Sequence, residues 1–275
     1  MQKMLAQYVP RPLLRRLKRV LVLPMDGLDL LFGRRRELVP PRYLNFAGDG
    51  DFESSGDEFL KYFVELGGLI PTHRVLEVGS GIGRMARPLT KYLASGSYEG
   101  IDIVPQGVDW SRRNISARYP NFNFQLADVR NLMYNPHGKF EAAEYRFPFS
   151  NEDFDFTYLT SVFTHMLRKD MERYLAEIGR TLRPRGRCLA TYFLLNDESR
   201  ALMKTGRGSL DFTLQLDGCW TDDDVVPEHA VAFDEEHIRA LYHDLGFTVE
   251  AIHYGAWSGR REYLSYQDIV FASKT

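Results

Sequence analysis

The sequence predicts an α/β fold: a Rossmann-like open seven-stranded sheet, mostly parallel with an antiparallel last strand, and helices on both faces. Three observations predict it. Short apolar runs alternate with helical periodicities from Arg74 onward, the signature of crossover-linked parallel strands. The first run ends in glycines at 79, 81 and 83, a strand-to-helix turn. Only about ten residues, including Gly255, Trp257 and Gly259, separate the last two runs, too few for a helical crossover.

The elements follow in order. Leu13, Leu14, Leu17, Val20 and Leu21 recur at helical spacing among Arg15, Arg16, Lys18 and Arg19; Pro10 and Pro12 would open this helix and Pro24 stop it. Pro40-Pro41 predicts an extended connector and Phe46–Phe52 a loop. Ser54 or Ser55 would cap a helix carrying Phe59, Tyr62, Phe63 and Leu66 inward, ended by Gly67-Gly68. Strands are expected at 75–78, 98–103, 122–126, 154–159 and 187–195, with helices at 84–93, 106–117 and 169–182. Residues 196–233 resist a regular reading despite an alternating run at Leu210–Leu216, and Tyr134–Phe149 is a second irregular stretch. A helix at 234–245 and strands at 247–254 and 267–272 close the chain. The division expected is a basic extension over 1–50 and one catalytic domain over 51–275, with an insertion at about 196–233.

Composition narrows the function classes. The 275 residues are 44% apolar and 26% charged, which excludes a disordered, collagenous or coiled-coil chain. Basic and acidic residues nearly cancel at a net −2, so no global field favours nucleic acid. Within that balance, residues 1–42 hold ten Lys/Arg against three Asp/Glu. Two cysteines, 188 and 219, make no disulfide framework, and no apolar run approaches the roughly 20 residues of a membrane span. The reading is a soluble, cytoplasmic protein. Its basic end reads either as peripheral contact with an acidic membrane face or as a helix against the domain or a second subunit.

The chemistry concentrates at predicted strand ends. In Val75-Leu-Glu-Val-Gly-Ser-Gly-Ile-Gly-Arg84 the glycines let a ligand approach the backbone, and the following helix start offers free amides. A dinucleotide fingerprint starting at Gly79 wants glycine or alanine at 84, where Arg84 stands, against a dehydrogenase. Glu77 lies inside the strand, where a carboxylate must be paired or must meet a cation. Asp102 ends the second strand, suited to both hydroxyls of a ribose, and Asp128 ends the third, suited to an adenine amino group.

Glu77–Gly83, Asp102, Ala127-Asp128 and Phe154-Asp-Phe-Thr-Tyr-Leu-Thr-Ser161 resemble, in order over about residues 70–195, the motifs of class I S-adenosylmethionine-dependent methyltransferases. The resemblance implies S-adenosyl-L-methionine as cofactor. It implies Glu77, Gly79, Ser80, Gly81 and Gly83 along its methionine and ribose, Asp102 and Ile103 at ribose and adenine, Asp128 and Val129 at the adenine edge, and Ser161 facing the sulfonium. Such a donor is already activated, so the enzyme mainly aligns and desolvates the acceptor, and hydrogen-bond acceptors rather than basic grips should line the site. No metal is needed.

The acceptor side is sketched by fewer residues. His165, in Val162-Phe-Thr-His165, is a candidate general base for a hydroxyl, or else a packing residue. Tyr192, Asn196 and the turn Tyr254-Gly-Ala-Trp-Ser-Gly-Arg260 should gather at the same sheet edge, with Trp257 and Arg260 as candidate substrate contacts. Tyr145, Arg146 and Phe147 are candidates for its border. Asp222-Asp-Asp224 reads as a solvated loop rather than a metal site. Leu159-Thr-Ser-Val162 stands where DNA amino-methylating members carry Asn/Asp-Pro-Pro-Tyr/Phe. The expected activity is O-methylation of a small molecule, sugar or glycoconjugate hydroxyl, with no nucleic-acid partner and oligomeric state open. The alternatives are a non-catalytic cofactor-binding domain and an N-methyltransferase of a small-molecule or protein amine.

Overall fold

The computed structural model of the chain describes residues 22–33, 36–45 and 50–275. The helix expected over Leu13–Leu21 lies outside them. Residues 22–31 are helical (α1), and Pro24 does not end this segment. Proline costs a helix most in its interior, where it removes a donor and clashes with the preceding turn. The segment ends at Gly33, whose φ of +61° a side chain would resist.

Helix α2 (Phe52–Glu65) is capped by Asp51, one turn earlier than the serines suggested: the Asp51 carboxylate accepts the Ser54 amide at 2.8 Å. Then come β1 (Arg74–Val78), α3 (Ala86–Tyr92), β2 (Ser97–Asp102), α4 (Pro105–Ser111), β3 (Phe122–Leu126), β4 (Phe154–Leu159), α5 (Arg168–Thr181) and β5 (Leu182–Tyr192). Helix α4 is shorter than expected, because residues Arg112–Ser116 widen into a π-turn.

The chain continues through β6 (Leu194–Leu195), α6 (Asp197–Lys204), β7 (Leu214–Leu216), β8 (Cys219–Thr221), β9 (Val231–Asp234), α7 (Glu235–Asp244), β10 (Phe247–His253) and β11 (Asp268–Lys274). The main sheet has seven strands in the order β10-β11-β5-β4-β1-β2-β3, parallel except for β11, which runs antiparallel to both neighbours. The order reverses at β1, so a crevice opens beyond the carboxyl ends of β1 and β4.

Alternation along the strands divides the core. Leu76 and Val78 face α5 and α7, packing with Leu175, Ile178, Ile238 and Tyr242. Val75 lies on the opposite face with Phe63, Leu89, Tyr98, Phe122 and Tyr158, under α2, α3 and α4. At about 25 cal/mol per Å² of buried apolar surface, these two layers dominate stability.

Residues 196–233, expected to be irregular, largely build a second sheet of four short strands, β6-β9-β8-β7. Its aromatic underside, Phe193 with Phe212 and Trp257, forms a third small core. Strands of two to four residues carry too little periodicity to be read from sequence, and their pairing is fixed by this tertiary contact.

Candidate active site

The crevice is a cavity of about 950 Å³. Ligand pockets run about 300–1,000 Å³, so this one lies at the large end of that range. The ends of β1, β2 and β4 line it together with one side of α2, the segment after β3, and a wall from residues flanking the second sheet and the loop before β11.

The glycine turn forms the floor. The Gly79 and Ser80 amides both donate to the Ile101 carbonyl, at 2.8 and 3.0 Å, tying the turn to β2. Gly79 has φ +81°, and a Cβ there would lie 2.3 Å from Val162 Cγ2. A Cβ on Gly81, by contrast, would meet no atom within 4 Å, because this residue faces open cavity. Ser80 Oγ is buried without a protein partner.

Asp102 is nearly buried, and its oxygens accept the Gly81 amide at 2.6 Å and the Val104 amide at 2.7 Å. Burial raises its pKa to about 6 against the pull of those amides. A carboxylate has about four lone-pair sites, so these amides leave acceptor capacity for a ligand hydroxyl.

Glu77 shares the β1 face of Val75, and its carboxylate lies in the core. One oxygen accepts both the Tyr98 hydroxyl and the Tyr158 hydroxyl, the latter at 2.9 Å. Burial drives its pKa up to about 8 even though both hydroxyls favour the charged form. The pairing demanded by sequence is thus met by two tyrosines from the neighbouring strands.

Ile103 and Val129 line the cavity. Asp128 does not: its carboxylate lies 3.5 Å from Asn135 Nδ2 and 3.6 Å from Lys139 Nζ, whereas Ala127, Val129 and Arg130 on either side do form wall. Arg84 also lines the cavity, so two cations stand where acceptors alone were expected. Ser161 closes the β4 end with φ +57°; its amide donates to Thr191 Oγ1 at 2.7 Å and its hydroxyl to Gln267 at 3.1 Å. A non-glycine residue held there is strained, and such strain collects at functional sites.

His165 lines the far side, in the 3₁₀ turn Phe163–His165. Its Nδ1 lies 2.9 Å from the Glu228 carbonyl. A carbonyl only accepts, so Nδ1 carries the proton and Nε2 keeps the lone pair. Burial pushes the pKa of His165 below 6.5, leaving the ring neutral at pH 7. A second imidazole, His229, also lines the cavity, and its Nδ1 is 3.0 Å from the Asp222 carboxylate.

Several expected contacts are absent from the wall. Trp257 is fully buried, donating from Nε1 to Asp268 at 2.8 Å, and Arg260 pairs with Glu198 at 3.0 Å; both serve packing. Tyr192 is buried against Tyr242, and Asn196 caps α6. Tyr145 and Phe147 pack on Tyr174 behind the wall. Asp223 turns the acidic loop by accepting the Val225 and Val226 amides, and among the described residues no cluster of three metal-ligating side chains occurs.

Conversely, Phe193, Leu210, His229 and Tyr263–Gln267 line the cavity without having been singled out. Only His229 carried a readable signal, an imidazole seven residues after Asp222 in a short loop.

Residues 32–252 match a family model described as a methyltransferase domain, which spans most of the chain. The chain belongs to the class I S-adenosylmethionine-dependent methyltransferases. S-adenosylmethionine is the cofactor of this family, and the site fits it: Ser80, with a partnerless buried hydroxyl, Asp102, and Gly81, with open space above it, all line the cavity.

Relatives of this methyltransferase differ in what they act on. A phthiotriol/phenolphthiotriol dimycocerosates methyltransferase of Mycobacterium leprae is 30% identical over half of the chain and 42% of its own length. A demethylmenaquinone methyltransferase of Deinococcus radiodurans is 30% identical over 44% of the chain and 43% of its own length. The chain thus spans about two fifths of the length of the curated relatives it matches.

Among solved structures, the 1,6-didemethyltoxoflavin-N1-methyltransferase of Burkholderia thailandensis, with its substrate and S-adenosylhomocysteine bound, gives a TM-score of 0.53 at 17% identity, covering 93% of this chain and 88% of that one. The Pyrococcus horikoshii protein PH0226 gives 0.55 at 15%, covering 86% and 97%. These two likenesses establish the shared fold.

Proposed function

We propose that this methyltransferase moves the methyl group of S-adenosylmethionine to a hydroxyl oxygen of a largely apolar small molecule. In this reading Asp102 accepts the ribose hydroxyls, Ile103 and Val129 flank the adenine, Asp128 stays outside the wall and makes no direct contact, and Ser80, Glu77 and the glycine turn border the methionine part. Ser161 stands at the end nearest the sulfur. The cofactor supplies a methyl on a sulfonium that needs no further activation.

The chain's own work is then to seat the acceptor, exclude water and take one proton. His165 takes it at Nε2. The observation that carries the proposal is the fixed tautomer of His165: a neutral imidazole in the cavity, its Nδ1 held by the Glu228 carbonyl. Phe193, Leu210, Met133 and Met166 in the wall favour an apolar acceptor, which supports the hydroxyl expectation better than a bare sugar or glycan.

The test is His165→Ala, assayed with methyl-labelled cofactor against a panel of apolar alcohols and phenols. Turnover should drop about 10²–10⁴-fold, the usual contribution of a general base, with calorimetric cofactor affinity unchanged. Loss of cofactor binding would instead make His165 a packing residue. Label on nitrogen in a panel of amines, with none on oxygen, would replace the acceptor.

A further inference from the structure

Helix α1 is mounted with its acids inward. Asp26, 7% exposed, accepts the Arg42 amide at 3.0 Å and the Tyr43 amide at 3.1 Å, and Asp29 pairs with the Arg42 guanidinium. What the helix turns to solvent is apolar: Leu23, Met25, Leu28, Leu30 and Leu31 are exposed, the last two at 66% and 77%. A surface helix ordinarily buries its apolar stripe and shows its charges, and this one does the reverse.

Charge says what covers that face. Arg15, Arg16, Lys18 and Arg19 precede the helix in sequence, and Arg34, Arg35 and Arg36 follow it. The two acids that would repel a negative surface are engaged by Arg42 and its neighbour. A second copy of the chain is a poor occupant, because a two-fold contact sets the same patch against itself and opposes like charges. An anionic bilayer supplies both an apolar interior for the leucines and phosphate for the arginines.

We infer that α1 docks this protein on the surface of an anionic membrane, lying in the headgroup region rather than crossing it. Among the described residues no helix is long and apolar enough to span a bilayer. The segment that follows the helix reaches the element bordering the cavity: Arg36 pairs with Glu53 on α2, and Ser55, Glu58 and Phe59 of α2 line the wall. The inference is independent of which atom accepts the methyl group.

The experiment is flotation of the full chain with vesicles of phosphatidylcholine alone or mixed with phosphatidylglycerol. The protein should float with the anionic vesicles and be released by salt. Leu30→Glu with Leu31→Glu should weaken that binding about tenfold or more. Arg34→Gln with Arg35→Gln should weaken it on anionic vesicles only.

Both double variants should retain the wild-type calorimetric affinity for S-adenosylhomocysteine, which shows that they fold. Three results overturn the inference: wild-type protein left unbound by anionic vesicles, equal flotation of the leucine variant, or a wild-type dimer that L30E/L31E converts to monomer without changing flotation. The last would assign the face to a second copy.

Discussion

The two ends of the cavity are built on different principles. At the cofactor end, the groups that would meet ligand are main-chain amides and carboxylates at the tips of long parallel strands, each fixed by a neighbouring strand: Gly79 and Ser80 by Ile101, Asp102 by Gly81, Glu77 by Tyr98 and Tyr158. At the other end the wall comes from residues flanking a small separate sheet and from a loop, and Asp268 of the main sheet holds both by accepting the Leu194 and Gly255 amides. In the proposed reading, the cofactor is seated on the extended ladder and the acceptor beside a minor sheet.

The sharpest way to break this comparison is Asp268→Ala. This fully buried carboxylate accepts the Leu194 amide at 2.6 Å, the Gly255 amide at 2.6 Å and the Trp257 indole at 2.8 Å. Removing it strands three buried donors, a loss of about 3–5 kcal/mol in urea unfolding. Cofactor affinity of the folded fraction should hold, and its loss would mean that the two ends are one unit.

Asp102→Ala is the converse and should be smaller: about 1.5–3 kcal/mol off cofactor binding by calorimetry, the scale of charged hydrogen bonds, with acceptor KM little changed. An unaltered titration would remove Asp102 from the cofactor end.

A pH series then separates the two ends by sign. Glu77 has its folded pKa raised from 4.5 to about 8, so the folded state binds the proton more tightly than the unfolded chain. Its contribution is fully present below pH 4.5 and is lost as pH rises through about 8. Between pH 6.5 and 8 the ligand-free protein should lose up to about 1.4 kcal/mol per pH unit from this group. Glu77→Gln, which keeps an acceptor for both tyrosines, should flatten that slope in chemical denaturation.

At the acceptor end the shift has the opposite sense. Burial depresses the His165 pKa, so the acid limb of turnover should fall below pH 6.5. A limb at or above that value would take the role of base away from His165.

Most of the cofactor end was readable in the chain. Strand, glycines and terminal acid follow one another within a few residues, and their geometry is set locally by φ and by the pleat. Asp128 shows the limit: its position at a strand end was right, yet its carboxylate leans on Lys139, which no spacing rule announces. The acceptor end was legible only at His165 and in its general location. Trp257 and Arg260 looked like ligand contacts because an aromatic and a cation in a turn resemble a binding motif. Their partner Asp268 sits where the sequence shows only the start of a strand. Asp51 took the cap from Ser54 and Ser55 because the helix begins a turn earlier, where its carboxylate accepts the free Ser54 amide.

The grip of Asp268 on Gly255 and Trp257 has a practical corollary. The loop from Gly259 to Gln267 is clamped where it leaves one strand and where it enters the next, and its last five residues roof the cavity. A designer seeking a new methyl acceptor can therefore redecorate the tip of that arch at Tyr263 and Leu264, keeping Ser265–Gln267, which hold the Ala256 and Trp257 amides and the Ser161 hydroxyl.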